Sequence, residues 1–190
     1  MNKREITSKE ASKLLATLFR VADKNAAKEE LNHIFADGKY LVATNAYRML
    51  LIENSVKLAG EHPYAKALIL RDTDYYFFKT DMLILGQSAN TSTAISGYPD
   101  YERVLIKEEP DNLLFESNTD LISTLYRVTR ETGLLPDYVR DANLYKALDK
   151  VLKPFEVYVR KDDDRTPIMV TGLYKPLGLR AKFITMPLVF

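Results

Sequence analysis

The chain has 190 residues, 46% of them hydrophobic and 28% charged, which is typical of a globular protein with one large or two small domains. Its 27 basic and 26 acidic side chains give a net charge of +1, so any attraction to DNA must come from local clusters of charge. The lack of cysteine excludes disulfides, thiolate zinc sites and cysteine nucleophiles. No leader or membrane-spanning run is evident, and we expect a cytoplasmic protein with no membrane partner.

The first clear pattern is an amphipathic helix over residues 9–24, preceded by a short strand at 4–8 and capped by Ser8. Its apolar side chains recur at helical spacing, and its basic ones fall on the opposite side, within an arc of roughly 60°. Those basic residues are Lys9, Lys13, Arg20 and Lys24. Either a solvated face or a DNA-binding face fits this pattern.

Strands are predicted next at residues 30–36, 39–44 and 47–53, with a hairpin at Asp37-Gly38 and an interruption at Asn45-Ala46. A short apolar strand follows at 67–70, and a further hairpin pairs 75–78 with 82–86. Another strand, 91–95, leads into Pro99, which removes a backbone donor and stops regular pairing. If the chain stays extended beyond it, Arg103 and Val104 point to opposite sides.

The charged stretch 107–112 is the predicted domain boundary, which gives domains 1–107 and 108–190. A strand at 113–116 precedes a helix that begins at Asn118 or Thr119 and stops at Gly133. A third helix is capped by Asp141 and ended by Pro154, and it carries Lys146, Lys150 and Lys153 together on one side. Strands at 155–161, 167–172 and 180–190 complete the chain.

Three separated segments resemble bacterial DNA sliding clamps, the beta subunit that gives the replicative polymerase its processivity. Ser-Gly-Tyr-Pro-Asp-Tyr-Glu-Arg-Val-Leu, at 96–105, resembles the linker that leaves the middle clamp domain. Residues 41–49 resemble the stretch in which the family usually has Ala-Thr-Asp-Gly-His-Arg-Leu, with Asn45, Ala46 and Tyr47 as departures. The loss of glycine at position 46 makes a left-handed backbone less comfortable there. Met186-Pro187-Leu188-Val189-Phe190 and Thr166-Pro167-Ile168 resemble the last two strands of a clamp.

The resemblance covers nearly the whole chain, as a middle domain and a shortened third domain. It implies an α+β fold of βαβββ units, with mostly antiparallel sheets and a few amphipathic helices that face DNA. It also implies no catalysis and no cofactor. The residues agree on catalysis, since His33 in a strand is interpreted as structural and His62 in a loop has no ligand-spaced neighbour. The three aspartates at 162–164 are interpreted as a solvated turn rather than a metal site.

The resemblance also implies an apolar pocket for partner peptides with a Leu-x-Leu-Phe-like tail, built from three distant segments. Its residues would be Leu31, Thr44, Ala46, Tyr47, Arg48, Met49, Pro99, Arg103, Val104, Pro167, Ile184, Met186, Pro187 and Leu188. The family often has a basic residue near the C-terminus where this chain has Val189, which leaves contacts to acidic partner groups open. Weak, sequence-independent binding of duplex DNA would use Lys9, Lys13, Arg20, Lys24, Arg127, Lys146, Lys150 and Lys153.

Two functions follow from these expectations, and a third interpretation is a structural domain of phage or mobile-element origin with no surviving function. The first is a non-catalytic processivity or binding module that engages DNA and the peptide tails of replication or repair proteins. The alternative is a non-encircling adaptor, decoy or regulator that binds clamp partners or a full-length clamp. We expect a monomer or small homo-oligomer rather than a closed ring, because the first clamp domain has no counterpart here. The final residues, 187–190, are interpreted as a buried strand end, although they also resemble a clamp-binding peptide.

Overall fold

A computed structural model of the chain describes residues 4–22, 28–37, 39–57, 66–69, 98–136, 141–160 and 166–188. Within these residues the fold is the predicted mixture of helices and mostly antiparallel sheet. The chain forms two compact units. The first unit comprises Met1–Ala46 and Leu51–Pro99, and the second comprises Tyr47–Leu50 and Asp100–Phe190. The division into domains 1–107 and 108–190 stays a prediction.

Helix α1 (Ser8–Val21) begins with a capping box, but its cap is Thr7 and not the predicted Ser8. The Glu10 carboxylate accepts a hydrogen bond from the Thr7 backbone N–H at 2.8 Å, and the Thr7 hydroxyl accepts one from the Glu10 N–H at 3.3 Å. The helix ends at Val21, with Ala22 as its C-cap. The predicted extension to residue 24 is therefore wrong by one turn, and Lys24 lies outside the described residues.

The sheet of the first unit has the strand order β6-β2-β3-β4, and two very short strands, β1 and β5, pair in parallel as a separate sheet. The strands are β1 (Arg4–Glu5), β2 (Ile34–Asp37), β3 (Tyr40–Thr44), β4 (Arg48–Glu53), β5 (Val56–Lys57) and β6 (Lys66–Ile69). A 3₁₀ turn, Glu29–Asn32, replaces the first half of the predicted strand 30–36, so His33 lies between that turn and β2 rather than within a strand. The predicted strands at 75–78, 82–86 and 91–95 lie outside the described residues.

The core of the first unit is the contact of α1 with β3. Leu14, Leu15 and Leu18 are fully buried, and every residue of β3 is buried. Tyr98 adds an aromatic ring to this core, because it stacks on Phe35 with 4.8 Å between ring centroids and donates its hydroxyl to the Val42 carbonyl at 3.1 Å. Burial raises the pKa of the Tyr98 hydroxyl, which therefore stays a protonated donor.

The second unit is an antiparallel sheet covered by two helices. Its strands are β7 (Leu113–Glu116), β8 (Leu152–Tyr158), β9 (Ile168–Tyr174) and β10 (Leu179–Thr185), in the order β10-β9-β8-β7, with Arg48–Leu50 of β4 beside β10. Helices α2 (Leu121–Thr132) and α3 (Ala142–Val151) pack on β8 and on each other. Each buries one apolar stripe, as predicted from helical spacing.

Two of the predicted boundaries around these helices are confirmed and two are wrong. Gly133 ends α2 with a left-handed backbone, φ 76°, and Asp141 caps α3. The cap of α2 is Asp120, however, rather than Asn118 or Thr119. Helix α3 ends at Val151 because β8 begins at Leu152, whereas Pro154 disfavours helix only at Lys153 and so does not set the end predicted for it. Leu152 and Pro154 are buried and Lys153 is exposed, the alternation of a strand.

The segment after Pro99 also differs from the prediction. Tyr101–Val104 is a 3₁₀ turn, so Arg103 and Val104 do not lie on opposite sides of an extended chain. Residues 105–112, called the linker segment below, lie on the second unit. Arg160 donates to the Leu105 carbonyl at 3.4 Å, and the Glu108 carboxylate pairs with Arg180 at 2.8 Å and with Lys182.

Candidate partner-binding and DNA-binding surfaces

The turn between β3 and β4 has a left-handed backbone at Ala46, although the residue there is not glycine. Ala46 has φ 72°, the left-handed conformation for which glycine is the usual residue. The buried Thr44 hydroxyl supports this turn by accepting the Ala46 N–H at 3.1 Å. Ala46 itself is exposed, and Thr44 and Ala46 both belong to the first unit. The chain therefore holds a glycine-type turn with an alanine.

Tyr47 is the most accessible apolar residue of the predicted pocket in the second unit. Its side chain is 58% exposed, while its backbone carbonyl accepts the Met186 N–H at 2.9 Å. That hydrogen bond joins the start of β4 to the segment after β10. Met186 is half-buried, so the pair presents a tyrosine ring and a thioether on one small region of the second unit. Flexible thioethers and tyrosines are common in peptide-binding surfaces.

The segment after β10 is also joined to the segment after α2. Pro187 forms an isolated bridge with Pro136, and the Leu188 N–H donates to the Leu135 carbonyl at 2.8 Å. Pro187 is buried and Leu188 is half-buried. Pro136 was not among the predicted pocket residues, and no local signal in the sequence could pair it with Pro187, 51 positions later. The final two residues lie outside the described part of the chain.

Arg48 anchors this region rather than presenting a free charge. Its guanidinium pairs with the Asp141 carboxylate at 3.2 Å and lies over the Tyr145 ring, 5.7 Å from the centroid. The same Asp141 caps α3 by accepting the Leu144 N–H at 3.0 Å. The Tyr145 hydroxyl in turn reaches the Thr185 hydroxyl at 3.1 Å. With a side chain only 9% exposed, Arg48 joins β4 to α3 in the second unit, and Tyr145 joins α3 to β10.

The remaining predicted pocket residues divide between core and surface. Met49, Ile184 and Pro167 of the second unit are buried, as is Leu31 of the first unit. Pro99 of the first unit is exposed. In the second unit Val104 is half-buried, and the Arg103 side chain is 84% exposed and pairs with Asp100 at 3.0 Å. The apolar pocket residues of the second unit that are not buried, and so can touch a partner, are Tyr47, Val104, Met186 and Leu188.

The predicted DNA-binding residues differ in availability on the three helices. On α1, Lys9, Lys13 and Arg20 are exposed, and none forms an ion pair with any residue that the structure describes. On α3, Lys146 and Lys150 are exposed. Lys153 is exposed too, but it lies on β8 with its ammonium 5.6 Å from the Phe155 ring centroid, so the predicted three-lysine helical stripe loses its last member.

Arg127 on α2 is engaged within the protein. It pairs with Glu131 at 2.6 Å, its guanidinium lies 3.8 Å from the Phe115 ring centroid, and it donates to the Glu116 carbonyl at 3.4 Å. Arg130, one turn later, is exposed and forms no such contact with the described residues. Arg130 is thus the more available cation of α2, although helical spacing alone places both arginines off the apolar face.

The described residues contain no group of three or more Asp, Glu, His or Cys side chains that could hold a metal ion. The aspartates at 162–164 lie outside those ranges. None of the described helices is long and apolar enough to cross a membrane.

The two-unit α+β fold, with amphipathic helices packed on antiparallel sheets, is that of the bacterial sliding clamps. The structure is similar to the DNA polymerase sliding clamp from Pseudomonas aeruginosa, with a TM-score of 0.56 and 14% identity over 97% of this chain and 65% of that chain. It is also similar to DNA polymerase III subunit beta from Borrelia burgdorferi, with a TM-score of 0.53, 15% identity, and 97% and 62% coverage. For the H. pylori beta clamp the TM-score is 0.50, with 10% identity and 93% and 63% coverage.

These similarities establish a clamp-like fold and nothing finer, because all three identities are low. This chain spans less than two-thirds of the length of each of these clamps. No family model matches the sequence, and no curated protein matches it.

Proposed function

We propose that this chain is a non-catalytic binding module related to bacterial sliding clamps, which engages duplex DNA and short peptide tails of replication or repair proteins. The observation that carries the proposal is the clamp-like fold over 97% of the chain. Two local features support it: the left-handed turn at Ala46 and the backbone hydrogen bond from Met186 to Tyr47.

The proposed peptide site in the second unit is centred on Tyr47, Met186 and Leu188. An exposed aromatic ring beside a half-buried thioether and a half-buried leucine can take up the apolar side chains of a Leu-x-Leu-Phe tail. Arg48 is a positioning residue rather than a contact for the peptide, because its guanidinium is nearly buried and already pairs with Asp141. Arg103 supplies an exposed cation in the same unit, itself paired with Asp100.

The test is fluorescence anisotropy with a labelled Leu-x-Leu-Phe peptide. We expect micromolar or weaker affinity, about −8 kcal/mol at most. Tyr47→Ala and Met186→Ala should each weaken binding at least fivefold, since both keep the backbone hydrogen bond that joins the two segments. Phe155→Ala removes an exposed ring from β8 and serves as the matched control. Absence of binding at several hundred micromolar peptide would show that the pocket assignment is wrong.

The proposed DNA contact is tested through its salt dependence. Binding that neutralises phosphates weakens as salt rises, with a slope of about −0.9 in log–log form for each phosphate contacted. A Lys13→Glu and Arg20→Glu double variant should flatten the slope for a duplex. Lys107→Glu reverses a charge outside the three helices, where Lys107 pairs with Glu109 at 3.8 Å, and should leave the slope unchanged. Equal slopes for wild type and double variant would make the basic side of α1 a solvated face.

A further inference from the structure

The two helices of the second unit form an antiparallel hairpin, called the helical hairpin below. Asp149, near the end of α3, accepts hydrogen bonds from the Leu121 and Ile122 N–H groups at 2.7 and 3.3 Å, at the start of α2. Only residues 133–141 connect the end of α2 to the start of α3. The helices therefore run in opposite directions side by side, and both pack on β8.

The outer side of the helical hairpin carries an exposed aromatic ring among basic residues. Tyr126, in the middle of α2, is 64% exposed, more than any other large hydrophobic residue in the described part of the chain. Arg130 lies one turn further along the same side of α2. Lys146, in the middle of α3, lies at nearly the same level as Tyr126. Measured along the helix axes from the contact between Asp149 and Leu121, at 1.5 Å per residue, the two residues differ by about 3 Å. Lys150 follows one turn later.

The carboxylates on this side are already engaged, as is Arg127, whereas the other three cations are not. Asp120 accepts hydrogen bonds from the Ser123 N–H and hydroxyl at 2.7 and 2.9 Å, and Glu131 pairs with Arg127. Asp149 caps α2. Arg130, Lys146 and Lys150 form no ion pair with any described residue. The face is thus only modestly positive, which favours a ligand that gains from the ring as well as from charge.

We propose that the outer face of the helical hairpin binds single-stranded nucleic acid, with Tyr126 stacking on an unpaired base and with Arg130 and Lys146 contacting the flanking phosphates. A tyrosine face stacks on any base, but only where the base is not already stacked and paired inside a duplex. Cations on either side of the ring match a backbone that carries one phosphate on each side of the stacked base. The inference rests on the proposed function only in that both place nucleic acid against the helices.

The experiment compares three probes by fluorescence anisotropy at low salt: a labelled oligothymidine, a duplex of the same length, and the labelled Leu-x-Leu-Phe peptide. Tyr126→Ala should weaken oligothymidine binding roughly 5- to 20-fold, while duplex and peptide binding stay within twofold of wild type. Tyr126→Phe keeps the ring and should retain most of the affinity. Phe155→Ala, with its exposed ring on β8, is the matched control and should bind like wild type. Circular dichroism checks that each variant is folded.

The outcomes separate this inference from the proposed function. Duplex or peptide binding without any oligothymidine binding would overturn the single-strand site and leave the clamp-like function in place. The single-strand site is equally overturned if Tyr126→Ala binds oligothymidine as well as wild type does, or if Tyr126→Phe loses as much affinity as Tyr126→Ala. Tyrosine-dependent oligothymidine binding without duplex or peptide binding would support the inference and contradict the proposed function.

Discussion

Two aspartates cap helices in the same way but in different electrostatic settings. Asp141 caps α3 and also pairs with the nearly buried Arg48 at 3.2 Å. Asp120 caps α2, and the hydrogen bonds from Ser123 lower the pKa of its carboxyl, but it pairs with no cation among the described residues. Asp141 therefore contributes a helix cap and an ion pair, and Asp120 contributes a helix cap without an ion pair.

This difference predicts the effect of replacing each aspartate with asparagine, which is itself a good N-cap. Asp141→Asn should lower the free energy of unfolding by about 1 to 2 kcal/mol, because it removes a charged partner from a guanidinium that is largely withdrawn from water. Asp120→Asn, the matched control, should cost only a few tenths of a kcal/mol. Urea unfolding followed by circular dichroism measures both. Equal losses would mean that the Arg48 pair adds nothing to the cap.

A second prediction for a single residue concerns Ala46, which has a left-handed backbone. The left-handed conformation costs a non-glycine residue about 1 to 2 kcal/mol of folding free energy. Glycine avoids this steric cost, but it loses more chain entropy on folding, so only part of the cost is regained. Ala46→Gly should therefore stabilise the protein by about 0.5 to 1 kcal/mol. Ala147→Gly within α3 is the control and should destabilise by about 1 kcal/mol. A loss of stability in both variants would contradict a strained backbone at position 46.

Among the structural elements, the linker segment is held to β10 by charge. Burial by itself would raise the pKa of the Glu108 carboxyl, but the hydrogen bonds and charges of Lys182 and Arg180 outweigh it and hold the pKa below its usual value. A carboxylate with a lowered pKa in the folded state stabilises the protein above its unfolded-state pKa of about 4.3. That contribution disappears as the pH falls through the folded-state pKa.

The prediction is a pH-dependent effect of Glu108→Gln. At pH 7 the variant should be less stable than wild type by about 1 kcal/mol, because a partly buried carboxylate with two cations is replaced by a neutral amide. The difference should shrink as the pH drops below about 4, where the wild-type carboxyl becomes neutral too. Glu102→Gln alters an exposed glutamate and serves as the control. A difference that stays constant from pH 7 to pH 3 would exclude an electrostatic role for Glu108.

At the scale of the whole molecule, the described sheet of the second unit ends in a strand poorly suited to join another chain. β7 has four residues, its register with β8 is irregular between Leu113 and Phe115, and Glu116 at its end is exposed. Short, irregular and charged edge strands resist pairing with a second sheet. We therefore expect a monomer or a small homo-oligomer rather than a ring closed through this edge.

Light scattering behind a sizing column tests the prediction, with an expected mass close to that of one 21.8 kDa chain, or of a few chains in a concentration-dependent equilibrium. A stable species of three or four chains would contradict it and would favour a module that encircles DNA. A monomer that binds the peptide but no duplex would instead favour the adaptor, decoy or regulator. Circular duplex DNA is the stricter substrate, because only a closed ring is retained on it.

Much of this molecule was predictable from local sequence. The helical spacing of leucines predicted the helices, and the interruptions that contain asparagine, glycine or proline predicted most of the described strands and the end of α2 at Gly133. These signals are local, because each depends on residues within one or two turns. The errors at Thr7, Asp120 and Val151 are boundary errors in which a neighbouring residue offered the better cap or the better strand alternation.

The candidate surfaces were less predictable, because they depend on which distant side chains meet. The sequence alone places Arg127 and Arg130 on the same side of α2 and says nothing of the Phe115 ring that engages only Arg127. It does not pair Arg48 with Asp141, 93 positions later, or Pro136 with Pro187. Periodicity determined which residues face away from the apolar stripe of each helix, since that is a property of the helix itself. Only the tertiary structure decided which of them remain free to bind, since a charge or a ring is available only when no residue from another element has already engaged it.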